Sequence, residues 1–497
     1  MNVLITNVAN YLSDHTKVEE YRQAVTVKGF FFQNLQLNVY EEKTIMPIMD
    51  TLLSNFLAEL KPELKMVVET DYVDKVYRDS YYAYFSTKLK DYGRNCLRVS
   101  FFEPVFETKD DFWGMTSDQT QDAYRGFLVV RPLAKCIGRN AIDIRAKKGS
   151  LCSANIRSAD IPATCLGVKL KAHAFPHASQ DEEYMTCAET TVWSMMEYYG
   201  NKYAIHQPVL PTDILMSIKP TSFKRQVPST GLRLEQISLA LQRQGFGCMI
   251  YEKSNKRFQE LFTCYVESGL PLAVVVECAQ GKHAVVCVGR PPVDRNSMTY
   301  LSKGIDTEYV FWNENENLFV FNDDNMPCYQ IYDFNSPTPY FVSSSITHFI
   351  VPLHKKIYLP AEQAIDKSKF FVENDFKAPK GAFIRTFLTS SRTYREYLRF
   401  NDNFTSLMKE VYLSINLPKF IWVTEVTYNK AEFLDSKVNA LIILDATGIT
   451  NELDVYSSLI MKQNNGTLTI YDQKERLFKD YKLEILPSSF DSFSGNL

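Results

Sequence analysis

At 497 residues the chain is about three times an ordinary domain, which argues for two to four folding units. Its 45% hydrophobic and 23% charged residues are ordinary for a globular protein. A net charge of −3 with both signs well mixed excludes the clustered basic surface of a nucleic-acid binder. The N-terminal MNVLITNVANYLSDH has no basic region and no continuous apolar core, and no run reaches the roughly 18 apolar residues of a spanning helix, so a soluble, cytoplasmic protein is expected.

Residues 1 to about 160 read as a mixed α/β or α+β domain. Lys43–Leu60 has helical periodicity after Pro47, Lys65–Glu69 is a short strand, and a Tyr-rich helix is expected over Val73–Leu89. Strands follow at Leu97 and at GFLVVRPL from Gly126, where Arg131 precedes Pro132 and reads as a buried structural arginine. From Asn155 to His177 the chain is strand-like and broken by Pro162 and Pro176, which places a boundary near residue 160. His173 and His177 have the i, i+4 spacing of a helical zinc pair, but Pro176 between them argues against helix and no third ligand is near. No metal or cofactor is expected.

The stretch SQDEEYMTCAETTVWSMMEYYG, Ser179–Gly200, carries the chemistry. Ala188, Val192, Met195, Met196 and Tyr199 fall on one helical face, so Cys187 opens a helix. First-turn N–H groups lack intrahelical partners and the helix dipole is positive there, which favours thiolate, the nucleophilic form. Gln180, seven positions upstream, is an amide donor that a returning loop would bring beside the sulfur to hold an oxyanion; Asp181 next to it is a candidate to hold that loop. GLRLEQISLALQRQGF from Gly231 is an amphipathic helix stopped by Gly245.

PLAVVVE and HAVVCVG, between Pro271 and Arg290, are β-branched apolar runs joined by CAQGK and read as two buried strands. His283 opens the second, where an imidazole is placed to deprotonate a thiol and needs a third group to set its tautomer. LFVF then ends in Asn322, Asp323 and Asp324, any of which is a candidate for that group. Arg290–Asn317 is polar and turn-rich, a lid or a decoration beside His283. SITHFIVPL closes the region near Leu353, with His348 read as a core or edge histidine. From Ala361 come a helix, the strand GAFIRTFL, a helix from Arg392, and the strands KFIWVTEV, ALIILDAT, TLTIYD and KLEIL, an α+β domain ending in a frayed tail. The ten cysteines form no CxxC pair and read as free thiols rather than a disulfide framework.

A Gln, a Cys at a helix start, a Gly-x-His-Ala-Val-Val-x-Val-Gly strand and an Asn-Asp at the end of the next strand, in this order, resemble the papain-like cysteine peptidase superfamily, its bacterial C39-like branch above all. The resemblance covers roughly Leu166–Pro360. It differs from the family in having Ala188 after the cysteine, one extra residue between Gln180 and Cys187, and some thirty more between the His and Asp strands. The flanks look like those of uncharacterised bacterial proteins.

The resemblance implies a papain-like domain over 161–360 between α/β or α+β domains at 1–160 and 361–497. It implies Gln180 as oxyanion-hole donor, Cys187 as nucleophile, His283 as base and acid, and Asp323 as its orienter. The activity implied is hydrolysis of peptide or isopeptide bonds in a protein or peptide substrate. The flanking domains would read substrate or partner, or cover the site. An inert papain-like scaffold and a transglutaminase or deamidase-type acyl transferase are the alternatives. There is no GxxxxGK[ST], GxGxxG, HExxH or GxSxG signature.

Overall fold

The computed structural model describes residues 3–14, 17–20, 23–35, 37, 43–149, 155–219, 227–229, 231–278, 281–298, 309–312, 317–337, 345–448, 455–472, 477–483 and 489–490. The chain divides into two compact units: Met1–Gly245 with Ala273–Pro291 and Val320–Thr347, and Phe246–Leu272 with Pro292–Phe319 and His348–Leu497. The boundaries expected near 160 and 360 fall inside the first and the second unit respectively. Both units are α+β, with predominantly antiparallel sheets. Among the described residues no helix is long and apolar enough to cross a membrane.

In the first unit, β1 (Val3–Asn7), β2 (Lys65–Tyr72), β3 (Cys96–Phe102), β4 (Tyr124–Val130) and β5 (Ile137–Ile142) form an antiparallel sheet in sequence order. β3, β4 and β5 are buried at every position, which is why their sequences read as continuous apolar runs and not as alternation. α1 (Met46–Ala58) carries Pro47 in its first turn, where a missing N–H costs no helical bond. The Tyr-rich helix is shorter than expected: α2 (Lys75–Ala83) is capped by Asp74 and gives way to a 3₁₀ turn at Phe85–Thr87. β6 (Ala159–Cys165) and β7 (Val168–Ala174) form a two-stranded ribbon. Pro162, expected to break the chain, lies within β6 opposite Lys171; a ribbon strand has an unpaired edge on which proline removes no ladder bond.

α3 (Cys187–Lys202) packs with α4 (Pro211–Ile218) and α5 (Leu234–Arg243), and it lies on β9 of a second, larger sheet in which β8 (Leu272–Cys278), β9 (Gly281–Arg290), β10 (Leu318–Asn322) and β11 (Gln330–Asp333) are successive neighbours. The expected stripe of α3 is buried, and so are Glu189, Thr190, Thr191, Ser194 and Glu197, so this helix is enclosed on every side. Burial of its charges is tolerated because they are paired: Glu197 meets Lys75 at 3.2 Å and Arg139 at 3.7 Å. α5 stops at Gly245, whose φ of +96° is the left-handed geometry glycine adopts without strain.

In the second unit Phe246–Glu252 pairs antiparallel with His348–His354, where His348 lies opposite Glu252. The strands Phe383–Ser390, Phe420–Thr427, Ala440–Asp445, Leu459–Asn464, Thr467–Asp472 and Leu477–Lys482 make an antiparallel meander, joined in parallel by Val310–Phe311. The last strand lies N-terminal to the expected KLEIL, of which residues 484–486 fall outside the described residues. Half of Arg290–Asn317 and most of the C-terminal tail also fall outside them.

Candidate functional site

Thr186 caps α3 with extended backbone, and its N–H and hydroxyl both donate to the Glu189 carboxylate at 3.2 and 2.5 Å. Ser229 donates to the other Glu189 oxygen at 2.5 Å. The first helical bond runs from Thr190 N–H to Thr186 C=O, so the Cys187 N–H lies in the unpaired first turn. Cys187 is half-buried while Cys96, Cys136, Cys165, Cys264, Cys287 and Cys328 are buried, and none of these is in a disulfide.

The loop before the helix is folded by Asp181. Its Oδ1 accepts the N–H groups of Glu183, Tyr184 and Met185 at 3.0, 2.7 and 2.8 Å, and its own N–H donates to Met185 C=O. This tight turn, with Glu182 at φ +65°, reverses the chain between Gln180 and Cys187. Arg131, buried as expected, holds the base of the loop: its Nη2 lies 3.0 Å from Ser179 C=O and 3.3 Å from Gln180 C=O.

His283, at the start of β9, and Asp323, just past the end of β10, meet because the two strands are antiparallel neighbours with Val286 opposite Asn322. His283 Nε2 donates to Asp323 Oδ1 at 2.9 Å, and the imidazole also hydrogen-bonds the Cys187 side chain. Asp324 Oδ1 is farther from Nε2, at 3.4 Å. Asn322 faces elsewhere, its Oδ1 accepting the Tyr329 N–H at 2.8 Å. All four residues read from the sequence, Gln180, Cys187, His283 and Asp323, therefore lie in one connected cluster, and of the three candidates for the orienting group Asp323 is nearest the imidazole.

Burial alone would lower the His283 pKa, but the hydrogen bonds to Asp323 and Cys187 and the charges of Asp323 and Asp324 outweigh it and push it up to about 11. Burial pushes the Asp324 carboxyl up to about 8 against the pull of the His283 charge, and Asp323 adds to the rise. Near pH 6, well below both values, the cluster thus holds an imidazolium and a protonated Asp324 beside Asp323. Asp324 Oδ2 is buried without a hydrogen-bond partner.

Two residues join the site that sequence reasoning did not assign to it. His177, one of the pair weighed as a zinc site, is buried; its Nε2 lies 3.1 Å from the Asp323 C=O and its Nδ1 3.0 Å from Asn140 Nδ2. Burial lowers its pKa to about 4 despite the Asp323 carbonyl, so it is a neutral ring that donates to the Asp323 main chain. His173 is exposed on β7, 3.0 Å from Asp160, and binds nothing together with His177. Asn325 is the second. Gln180 Nε2 donates to its Oδ1 at 3.1 Å, while its Nδ2 lies 3.2 Å from Asp324 Oδ1, 3.4 Å from His283 Nε2 and 3.5 Å from Asp323 Oδ1. The run Asn322-Asp323-Asp324-Asn325 is itself the only sequence signal for it.

Ligand atoms of His283, Asp323 and Asp324 lie within 4.8 Å of one another, close enough to chelate a metal ion. Asn325 Nδ2 stands 3.2 Å from Asp324 Oδ1 and 3.5 Å from Asp323 Oδ1, so the amide sets N–H donors over carboxylate lone pairs a cation would take, and the third atom, His283 Nε2, carries a proton. No protein-family model matches the chain, and no curated protein matches it.

Proposed function

We propose that the first unit is a cysteine-type peptidase of papain-like character that hydrolyses peptide or isopeptide bonds. The observation that carries this reading is the hydrogen-bonded chain from Cys187 through His283 to Asp323, with the sulfur at the mouth of a helix. An imidazolium hydrogen-bonded to sulfur, together with a helix N-terminus, stabilises the thiolate. Cys187 attacks the carbonyl carbon, and the oxyanion is held by the Cys187 N–H and by Gln180. His283 protonates the leaving amine, and it then deprotonates the water that releases the acid from the thioester. With Nε2 committed to Asp323, Nδ1 is the nitrogen that exchanges the proton in this scheme. No cofactor or metal enters it.

The test is alkylation of the full chain with iodoacetamide across pH 5 to 9, the modified residue located by mass spectrometry, with His283→Ala in parallel. An ordinary thiol with pKa near 8.5 is only about 0.3% thiolate at pH 6, so a working ion pair raises the rate there by up to about 300-fold. Fast labelling of Cys187 at pH 6 that disappears in the histidine variant supports the reading. Labelling at the rate of a free thiol in both proteins refutes it and leaves the inert scaffold.

A further inference from the structure

We infer that Asn325 is a positioning residue that sets the direction of the Gln180 carboxamide, coupling the oxyanion donor to the carboxylates behind His283. The inference rests on the reading of Cys187, His283 and Gln180 as an acyl-transfer site.

The argument is one of hydrogen-bond polarity. A carboxamide has a donor end and an acceptor end of nearly equal size, and only its partners decide which way it faces. Asp323 Oδ1 accepts from His283 Nε2 at 2.9 Å and from the Asn325 main-chain N–H at 2.9 Å. Because Nε2 donates to Asp323, it carries the proton and offers Asn325 no lone pair. The Asn325 side chain therefore faces carboxylate oxygens, with Asp324 Oδ1 nearest at 3.2 Å and Asp323 Oδ1 at 3.5 Å. Asp323 Oδ1, already accepting from His283 Nε2 and the Asn325 main-chain N–H, has no proton to give an amide oxygen, so turning Oδ1 toward it would set two acceptors together in a buried site; the NH2 end faces the acids and the carbonyl end faces away.

That carbonyl end meets Gln180, and an acceptor there demands a donor: Gln180 presents Nε2 at 3.1 Å, and its Oε1 is turned away. One N–H of Gln180 is spent on Asn325, and the second remains for an oxyanion. The acids thus dictate, through Asn325, that Gln180 offers a donor rather than an acceptor to the reacting carbonyl. Arg131 and Asp181 fix the backbone of this loop but touch no atom of the Gln180 amide, so they cannot set its direction.

Two reagents on one sulfur separate this role from a merely structural one. Acylation by p-nitrophenyl acetate forms a bond from Cys187 sulfur to the acetyl carbon and breaks the bond to oxygen, expelling p-nitrophenolate through an oxyanionic intermediate. Alkylation by iodoacetamide displaces iodide directly and needs no oxyanion donor. In Asn325→Ala the acylation rate should fall about 10- to 100-fold, short of the 10²- to 10³-fold typical for outright removal of an oxyanion donor. Alkylation at pH 7 should change by less than about threefold, because His283 keeps Asp323. In a Gln180→Ala background the same substitution should add nothing to the acylation loss, since Asn325 acts through Gln180. Asn325→Asp, which keeps an acceptor for Gln180 but sets a third acid beside Asp323 and Asp324, should instead alter the pH profile of alkylation.

Equal losses with both reagents in Asn325→Ala, or full additivity with Gln180→Ala, overturn the coupling and leave the peptidase reading standing. A wild-type protein that neither acylates nor alkylates faster than a free thiol removes both.

Discussion

Asp323 and Asp324 both reach His283, at 2.9 and 3.4 Å, and burial pushes Asp324 up to about 8, a difference that a pair of isosteric substitutions can read. At 2.9 Å and an effective dielectric of about 20, an ionised Asp323 attracts the imidazolium by about 6 kcal/mol, equivalent to about four pKa units. Asp324 is nearly as close, at 3.4 Å, but with its pKa at about 8 it carries no charge at pH 6 and supplies little of that attraction. Asp323→Asn should therefore lower Cys187 alkylation at pH 6 by about 10- to 100-fold, moderated because Asp324, freed from its charged neighbour, ionises more easily. Asp324→Asn should leave the rate within about threefold, since an amide replaces a neutral acid. The double variant should fall furthest, because burial by itself lowers the histidine pKa. The assay is second-order alkylation by iodoacetamide from pH 5 to 9, with the fraction at Cys187 taken by mass spectrometry; among the described cysteines only Cys248 shares its intermediate exposure. Equal losses in the two single variants, or a larger one in Asp324→Asn, would refute the assignment of charge.

Gln180→Ala should slow acylation by p-nitrophenyl acetate about 10²- to 10³-fold while sparing alkylation, since it removes an oxyanion donor and not the Cys–His pair. His177 titrates near 4 when folded and near 6.5 when unfolded, so it contributes full stability above 6.5 and loses it as pH falls toward 4. Over that window the cost is about 3 kcal/mol; urea midpoints at pH 4.5 and 7 should differ more in the wild type than in His177→Gln. A parallel fall in both proteins would deny His177 its part in acid sensitivity. Gly289, at φ +157° on the strand of His283, would place a Cβ 2.0 Å from the Asn155 carbonyl, so Gly289→Ala should lower the melting temperature by several degrees or prevent folding. An unchanged melting temperature would show that the strand moves aside freely.

The local elements were legible because each is written in neighbouring residues. The α3 stripe, the apolar runs of β4, β8 and β9 and the Gly245 stop follow from periodicity and glycine geometry, and the four site residues from a motif whose members sit at element ends. The Tyr-rich helix overran because aromatic residues at helical spacing say nothing about where the cap must fall. Pro162 misled for a related reason: whether a strand has a free edge is a property of the sheet.

What the sequence by itself determined is the α+β class, the position of Cys187 at a helix mouth, and the pairing of a histidine strand with an acidic strand end. Tertiary structure alone decided the rest. That Asp323 and not Asn322 or Asp324 holds Nε2 depends on the register of β9 against β10, where one residue of slip turns each side chain to the opposite face. That the Asp324 pKa is raised depends on burial, and that His177, Arg131 and Asn325 serve the site depends on side chains meeting groups distant in sequence at about 3 Å. Hydrogen-bond direction and charge state are set by what surrounds a group in space, and sequence order does not carry that information.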